Sequence, residues 1–248
     1  MSSAPRPSRR SRLPAIAFAL LGLLAVAAAM FDHLDRFVFF GGPVMTLLRP
    51  QTPPRDGLGV VLLSGDMGFT AGLSGQMKQR LVAAGYPVAA INALVFAADG
   101  RSPDEISALL STTIHRLLAT PGVRRVVLIG HSFGADLLHV GLVGLAPADR
   151  ARVAAVILEV PTDKVYLTAG FREYFELGPP DVVALASASR LDWVPVTCIR
   201  GAAERTSLCP LLRNPNVRQV VLPGGHTLNR DGAALFAASY DAIRHHRR

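Results

Sequence analysis

Two hydrophobic rhythms alternate along this chain. Short unbroken apolar runs are bounded by glycine, proline or charge: GVVLLSG (59–65), PVAAIN (87–92), RRVVLIG (124–130), RVAAVILEV (152–160), WVPVTCIRG (193–201) and VRQVVLPG (217–224). Several of these read as strands buried on both faces, because a half-exposed strand would alternate apolar and polar positions. Between them lie segments in which apolar residues recur every three or four positions: GQMKQRLVAAG (75–85), SPDEISALLSTTIHRLLATPG (102–122), GADLLHVGLVGL (134–145) and DGAALFAASYDAIRHH (231–246). The second opens on Ser102-Pro103-Asp104-Glu105, with proline and acids in the first turn of a helix. Strands alternating with helices predict a doubly wound α/β fold, a mostly parallel sheet with helices on both faces. Residues 161–192 are longer than an ordinary crossover and carry Tyr166, Phe171, Tyr174 and Phe175. They read equally as a small lid or substrate wall, or as a crossover helix with loops.

The N-terminus has a third pattern. LPAIAFALLGLLAVAAAMF (13–31) is 19 uncharged residues behind Arg6, Arg9, Arg10 and Arg12. That is the short end for a membrane-spanning helix, and the basic flank favours a cytoplasmic N-terminus. The small residues of AVAAA also fit a cleavable signal peptide. A retained anchor is the preferred reading, since FDHLDRFVFF continues with interfacial character. Either reading exports the rest of the chain. The expected organisation is a signal peptide or anchor over 1–31, a linker over 32–56 and one α/β domain over 57–248.

Composition narrows the function classes. Half of the residues are hydrophobic, enough for a sizeable core. Six of the 26 basic and two of the 18 acidic residues fall in residues 1–50, so the net charge of +8 is split evenly between that segment and the rest. No Lys/Arg stripe interleaved with aromatics appears, so nucleic-acid binding is not expected. A mildly basic surface near anionic lipid fits, and general solubility accounts for the charge equally well. The two cysteines, Cys198 and Cys209, read as a disulfide in an exported protein and as free thiols in the cytosol. Their spacing fits no zinc framework, and no cofactor is expected.

The chemistry centres on VVLIGHSFGAD (126–136). A bare Gly-x-Ser-x-Gly carries little weight, but here it follows a buried-strand run and opens a helix, the context of a nucleophile elbow. Ser132 is therefore the expected nucleophile. It needs a base. Of seven histidines, His226 in LPGGHTLNRD follows the last strand, at the sheet edge that also carries the elbow. The order Ser…acid…His places the acid between them. Glu204, after the fifth strand, is the first choice, with Glu159 and Asp163 as competitors. The oxyanion hole is expected from the Phe133 N–H and from the loop LSGDMGF (63–69), through Asp66 N–H or next Met67 N–H. Cys198 and Cys209 bracket Glu204, so a bridge would close a small loop around the acid.

Together, LSGDMGF, VVLIGHSFGADLL, CIRGAAERTSLCP and LPGGHTLNRD resemble, in order, the bacterial virulence protein family VirJ/AcvB, over roughly residues 59–245. The resemblance implies a periplasmic α/β-hydrolase with Ser132 as nucleophile and His226 as base; a small or absent lid is expected from the segment 161–192. It implies hydrolysis of aminoacylated phosphatidylglycerol such as the lysyl form and, for some members, a secretion-system partner; the inner-membrane anchor is expected from the N-terminal segment instead. The family often has tyrosine at the position of His131, a second glycine at Met67 and an acid at Thr206. Two other readings are a generic carboxylesterase or thioesterase, and a non-catalytic hydrolase-like protein that binds a secretion partner or lipid.

Overall fold

The computed structural model describes residues 18, 20–26, 42–51, 55–70, 72–175 and 177–245. Contacts divide the chain into residues 1–41 and 42–248. Of the apolar segment 13–31, residues 20–26 are helical and most of the remainder lies outside the described residues, as does most of the linker expected over 32–56. Among the described residues no helix is long and apolar enough to cross a membrane.

The unbroken apolar runs become the centre of a seven-stranded sheet ordered β1-β3-β2-β4-β5-β8-β9. The strands are β1 Met45–Leu48, β2 Leu58–Leu63, β3 Val88–Ile91, β4 Arg125–His131, β5 Val153–Glu159, β8 Val196–Gly201 and β9 Val217–Leu222. A separate two-stranded pair, β6 Lys164–Val165 and β7 Val182–Val183, lies between β5 and β8 in the chain. All neighbours in the large sheet are parallel except β1, which runs antiparallel to β3. β1 corrects the linker expectation for residues 45–48. Its four residues, MTLL, are too short to show a periodicity, yet they cap the exposed backbone edge of β3.

Four helices cover the sheet: α1 Gly72–Ala83, α2 Pro103–Leu118, α3 Phe133–Val143 and α4 Gly232–His245. α2 begins where the sequence indicates, with Ser102 and Glu105 closing a capping box that satisfies two free backbone donors. Successive strand residues face opposite ways. Val60 and Leu62 of β2 pack in one core with Leu73, Met77 and Leu81 of α1 and with Leu235 and Ile243 of α4. α2 and α3 pack against each other and against β2 and β4. β2, β4 and β5 are therefore covered on both faces, which is why they are continuously apolar.

Among the described residues, 161–192 hold no long crossover helix. They form the β6–β7 pair and two short helical segments, Phe171–Tyr174 and Ala184–Ala188, the second packed on α3. Their inner side carries Thr162, Lys164, Tyr166 and Glu173 to the wall of a cavity. The wall reading fits this segment and the crossover-helix reading does not.

Candidate active site

The carboxyl ends of β2, β4, β5, β8 and β9 lie side by side, and the loops that leave them build the site. β4 ends at His131, and Ser132 turns the chain into α3 with φ 50° and ψ −123°. A non-glycine residue there is strained and persists only where its surroundings hold it. Three bonds do so: Ser132 N–H donates to Glu159 O at 2.8 Å, and Ser132 O accepts from Ala135 N–H at 2.7 Å and from Asp136 N–H at 3.1 Å. The flanking glycines are steric requirements. A Cβ on Gly130 would lie 2.5 Å from Gly134 O and 2.6 Å from Ala135 Cα, and one on Gly134 would press into the backbone of Leu63 and Ser64. Any larger residue would push strand, helix and β2 apart.

His226 comes from the loop after β9. Behind it, Leu228, Asn229 and Arg230 have φ of 48°, 52° and 59°, a left-handed turn pinned by the buried Leu228 side chain. The imidazole Nε2 lies 2.7 Å from Ser132 Oγ, and Nδ1 lies 2.6 Å from Glu204 Oε1. A carboxylate can only accept, so Nδ1 carries the proton and Nε2 is left to accept from the serine hydroxyl. The Glu204 side chain is almost wholly buried, and its Oε2 accepts from Gly201 N–H at 3.2 Å. The sequence-expected serine, histidine and first-choice acid thus form one hydrogen-bonded chain. Glu159 and Asp163 are elsewhere: Glu159 accepts from Ser239 and His131, and Asp163 N–H donates to Thr206 O. Thr206 itself lines the cavity, with Glu204 supplying the carboxylate.

Cys198 and Cys209 are bridged, with Cα atoms 5.5 Å apart, closing a loop around Glu204. In the chain-entropy account a loop of this size stabilises the fold by about 3 kcal/mol. The loop is also stitched to the β5 exit by Leu208 N–H donating to Pro161 O at 2.9 Å. The acid is therefore held from both sides.

Asp66 and Met67 are the central residues of a turn closed by Gly68 N–H donating to Gly65 O at 3.0 Å. Gly65 N–H donates to Ser74 Oγ, which ties the turn to α1. A Cβ on Gly65 would lie 3.4 Å from Ser132 Cβ, so the turn sits directly against the elbow. Neither Asp66 N–H nor Phe133 N–H donates to a protein acceptor among the described residues. Phe133 N–H is also the first N–H of α3, where the helix dipole favours negative charge.

Ser132 and His226 open into a cavity of about 800 Å³. Asp136, one helical turn beyond Ser132, lies in its wall and is 4% exposed. Its Oδ1 accepts from Thr162 N–H at 2.9 Å, and its Oδ2 lies 2.7 Å from Thr162 Oγ1. That hydroxyl is also 2.6 Å from Lys164 O. The Thr162 hydroxyl donates toward Asp136 Oδ2 and is directed at Lys164 O as well, one hydrogen shared between two acceptors. Burial pushes the Asp136 carboxyl well above the usual carboxylate range, against the lowering effect of its Thr162 bonds. His139, one turn further and fully buried, is driven by burial down to about 3. The helical offset of four from Ser132 is the sequence signal that would have pointed to Asp136.

Burial disfavours the charged form of both groups, with opposite consequences. A neutral His139 gives stability that is present above pH 6.5 and lost as pH falls toward 3. A protonated Asp136 gives stability that is present below pH 3.8 and lost as pH rises toward its folded value. Between about pH 4 and 6.5, for as long as Asp136 keeps its proton, the two effects oppose each other. Asp136→Asn is isosteric with the neutral acid and removes one of them. Urea unfolding of this variant will lose stability between about pH 6.5 and 4 more steeply than wild type, by up to about 1.4 kcal/mol per pH unit. Parallel profiles would show that Asp136 is ionised in the fold.

Among the described residues no cluster of three or more His, Cys, Asp or Glu is placed to hold a metal ion. Solved structures share the fold. Est1E from Butyrivibrio proteoclasticus aligns with TM-score 0.58 at 12% identity, covering 82% of this chain and 93% of that one. The lipase BlEst2 from Bacillus licheniformis gives 0.60 at 13%, covering 82% and 99%. MenH from S. aureus gives 0.58 at 14%, covering 84% and 100%. No curated protein matches the sequence. The fold is that of the α/β-hydrolases, as the element order and elbow indicate. The chain belongs to the bacterial virulence protein (VirJ) family, which matches it over residues 57–247.

Proposed function

We propose that this protein is an exported serine hydrolase that cleaves esters by acyl-enzyme chemistry, with aminoacylated phosphatidylglycerol as its substrate. The observation that carries the reading is the Ser132–His226–Glu204 chain, with bonds of 2.7 and 2.6 Å in the orientation that proton transfer needs. His226 Nε2 takes the Ser132 proton as Oγ attacks the ester carbonyl. Glu204 stabilises the imidazolium that forms. The developing oxyanion is met by the N–H groups of Phe133 and Asp66. His226 then gives its proton to the leaving alcohol, activates a water, and the acyl group leaves as a free acid. No step requires a metal.

The lipid substrate is supported by family membership and by the apolar segment 13–31 behind its four arginines, which would hold the catalytic domain at a membrane. The disulfide is consistent with an oxidising compartment. The purified protein, given mixed micelles of lysyl-phosphatidylglycerol, is expected to release lysine and phosphatidylglycerol. Turnover of p-nitrophenyl butyrate with the aminoacyl lipid left intact would instead identify a generic esterase.

A further inference from the structure

A second histidine–glutamate pair lies beside the same cavity, its histidine in the wall. His131 and Glu159 are register partners at the ends of β4 and β5. His131 Nδ1 lies 3.2 Å from Glu159 Oε2, and Glu159 Oε1 accepts from Ser239 Oγ of α4 at 2.7 Å. Glu159 is completely buried. A carboxylate that accepts from both neighbours fixes the His131 proton on Nδ1, as Glu204 does for His226. The ring lines the cavity, its side chain is 12% exposed, and Nε2 is neither buried nor bonded to a protein group among the described residues. It sits under the oxyanion turn: a Cβ on Gly65 would lie 3.2 Å from His131 Cδ2 and 3.4 Å from Ser132 Cβ. The reacting serine and this imidazole therefore border one small space.

We infer that His131 determines specificity: its Nε2 accepts a hydrogen bond from an N–H or O–H group that the substrate carries beside its ester carbonyl. The inference rests on the serine-hydrolase reading and adds to it a reason to prefer donor-bearing esters over plain acyl esters. Glu159 is a positioning residue that sets the tautomer. A purely structural His131–Glu159 tie would affect all esters alike.

Three p-nitrophenyl esters test this: butyrate, which has no donor, 2-hydroxybutyrate and 2-aminobutyrate. His131→Asn keeps an amide at the Nδ1 position to bind Glu159 and deletes the nitrogen that faces the cavity. It is expected to lower kcat/KM about tenfold or more for at least one of the donor-bearing esters while butyrate stays within about twofold. Which of the two is affected separates a hydroxyl from an ammonium donor. Glu159→Gln can donate to Nδ1 and move the His131 proton to Nε2, so it is expected to show the same selective loss. Fluorophosphonate labelling of Ser132 should stay at the wild-type rate in both variants. Unchanged kinetics, or an equal loss on all three esters, overturns the inference and leaves the hydrolase reading standing. A wild-type protein that is neither labelled nor active overturns both.

Discussion

Ser132→Ala will reduce ester hydrolysis by about 10⁶-fold in kcat, the scale seen when a nucleophile is removed from a serine triad. The oxygen lost is the only atom changed. The Ser132 backbone bonds to Glu159 O and from Ala135 N–H do not involve the side chain. The elbow should therefore keep its shape, and thermal unfolding should match wild type to within about a degree or two. Steady-state hydrolysis of p-nitrophenyl butyrate, measured beside far-ultraviolet circular dichroism, separates lost chemistry from lost fold. Substantial residual turnover in a folded Ser132→Ala protein would mean that another group attacks the ester.

Glu204→Gln carries the second-largest effect, about 10⁴-fold in kcat. The glutamine amide is close in shape to the carboxylate, so its bond from Gly201 N–H can persist. What changes is proton logic at His226. An amide nitrogen donates toward Nδ1, which leaves the imidazole proton on Nε2 facing Ser132 Oγ across the 2.7 Å contact. That tautomer cannot accept the serine proton, and no negative charge remains to stabilise an imidazolium. The Cys198–Cys209 loop and the bond from Leu208 to Pro161 should hold the backbone in place. The loss should therefore appear in kcat with little change in KM. A loss below about tenfold would show that Glu204 does not orient the base.

The central strands were legible because burial on both faces leaves an unbroken apolar run, and α2 because its capping residues are written out from Ser102 to Glu105. Ser132, Glu204 and His226 were readable because each follows a strand run at the same end of a parallel sheet. β1 was not, since four residues in a proline- and glycine-flanked stretch carry no period, and only pairing with β3 makes them a strand. The cavity wall over 161–192 was readable as an unusual length but not as a shape, because it is held by side-chain bonds such as Thr162 to Asp136 and Arg172 to Asp181. The His131–Glu159 pair joins residues 28 positions apart through strand register. Glu159 was visible as an acid at a strand end, and the sequence alone could not say which histidine it meets.

The central claim is that Ser132 is an activated nucleophile. Its most direct test is intact-mass spectrometry after reaction with a fluorophosphonate, followed by peptide mapping. The account predicts one adduct per wild-type chain, on the peptide containing Ser132, and none on Ser132→Ala. A folded wild-type protein that stays unmodified, or carries the adduct on another residue, would contradict it.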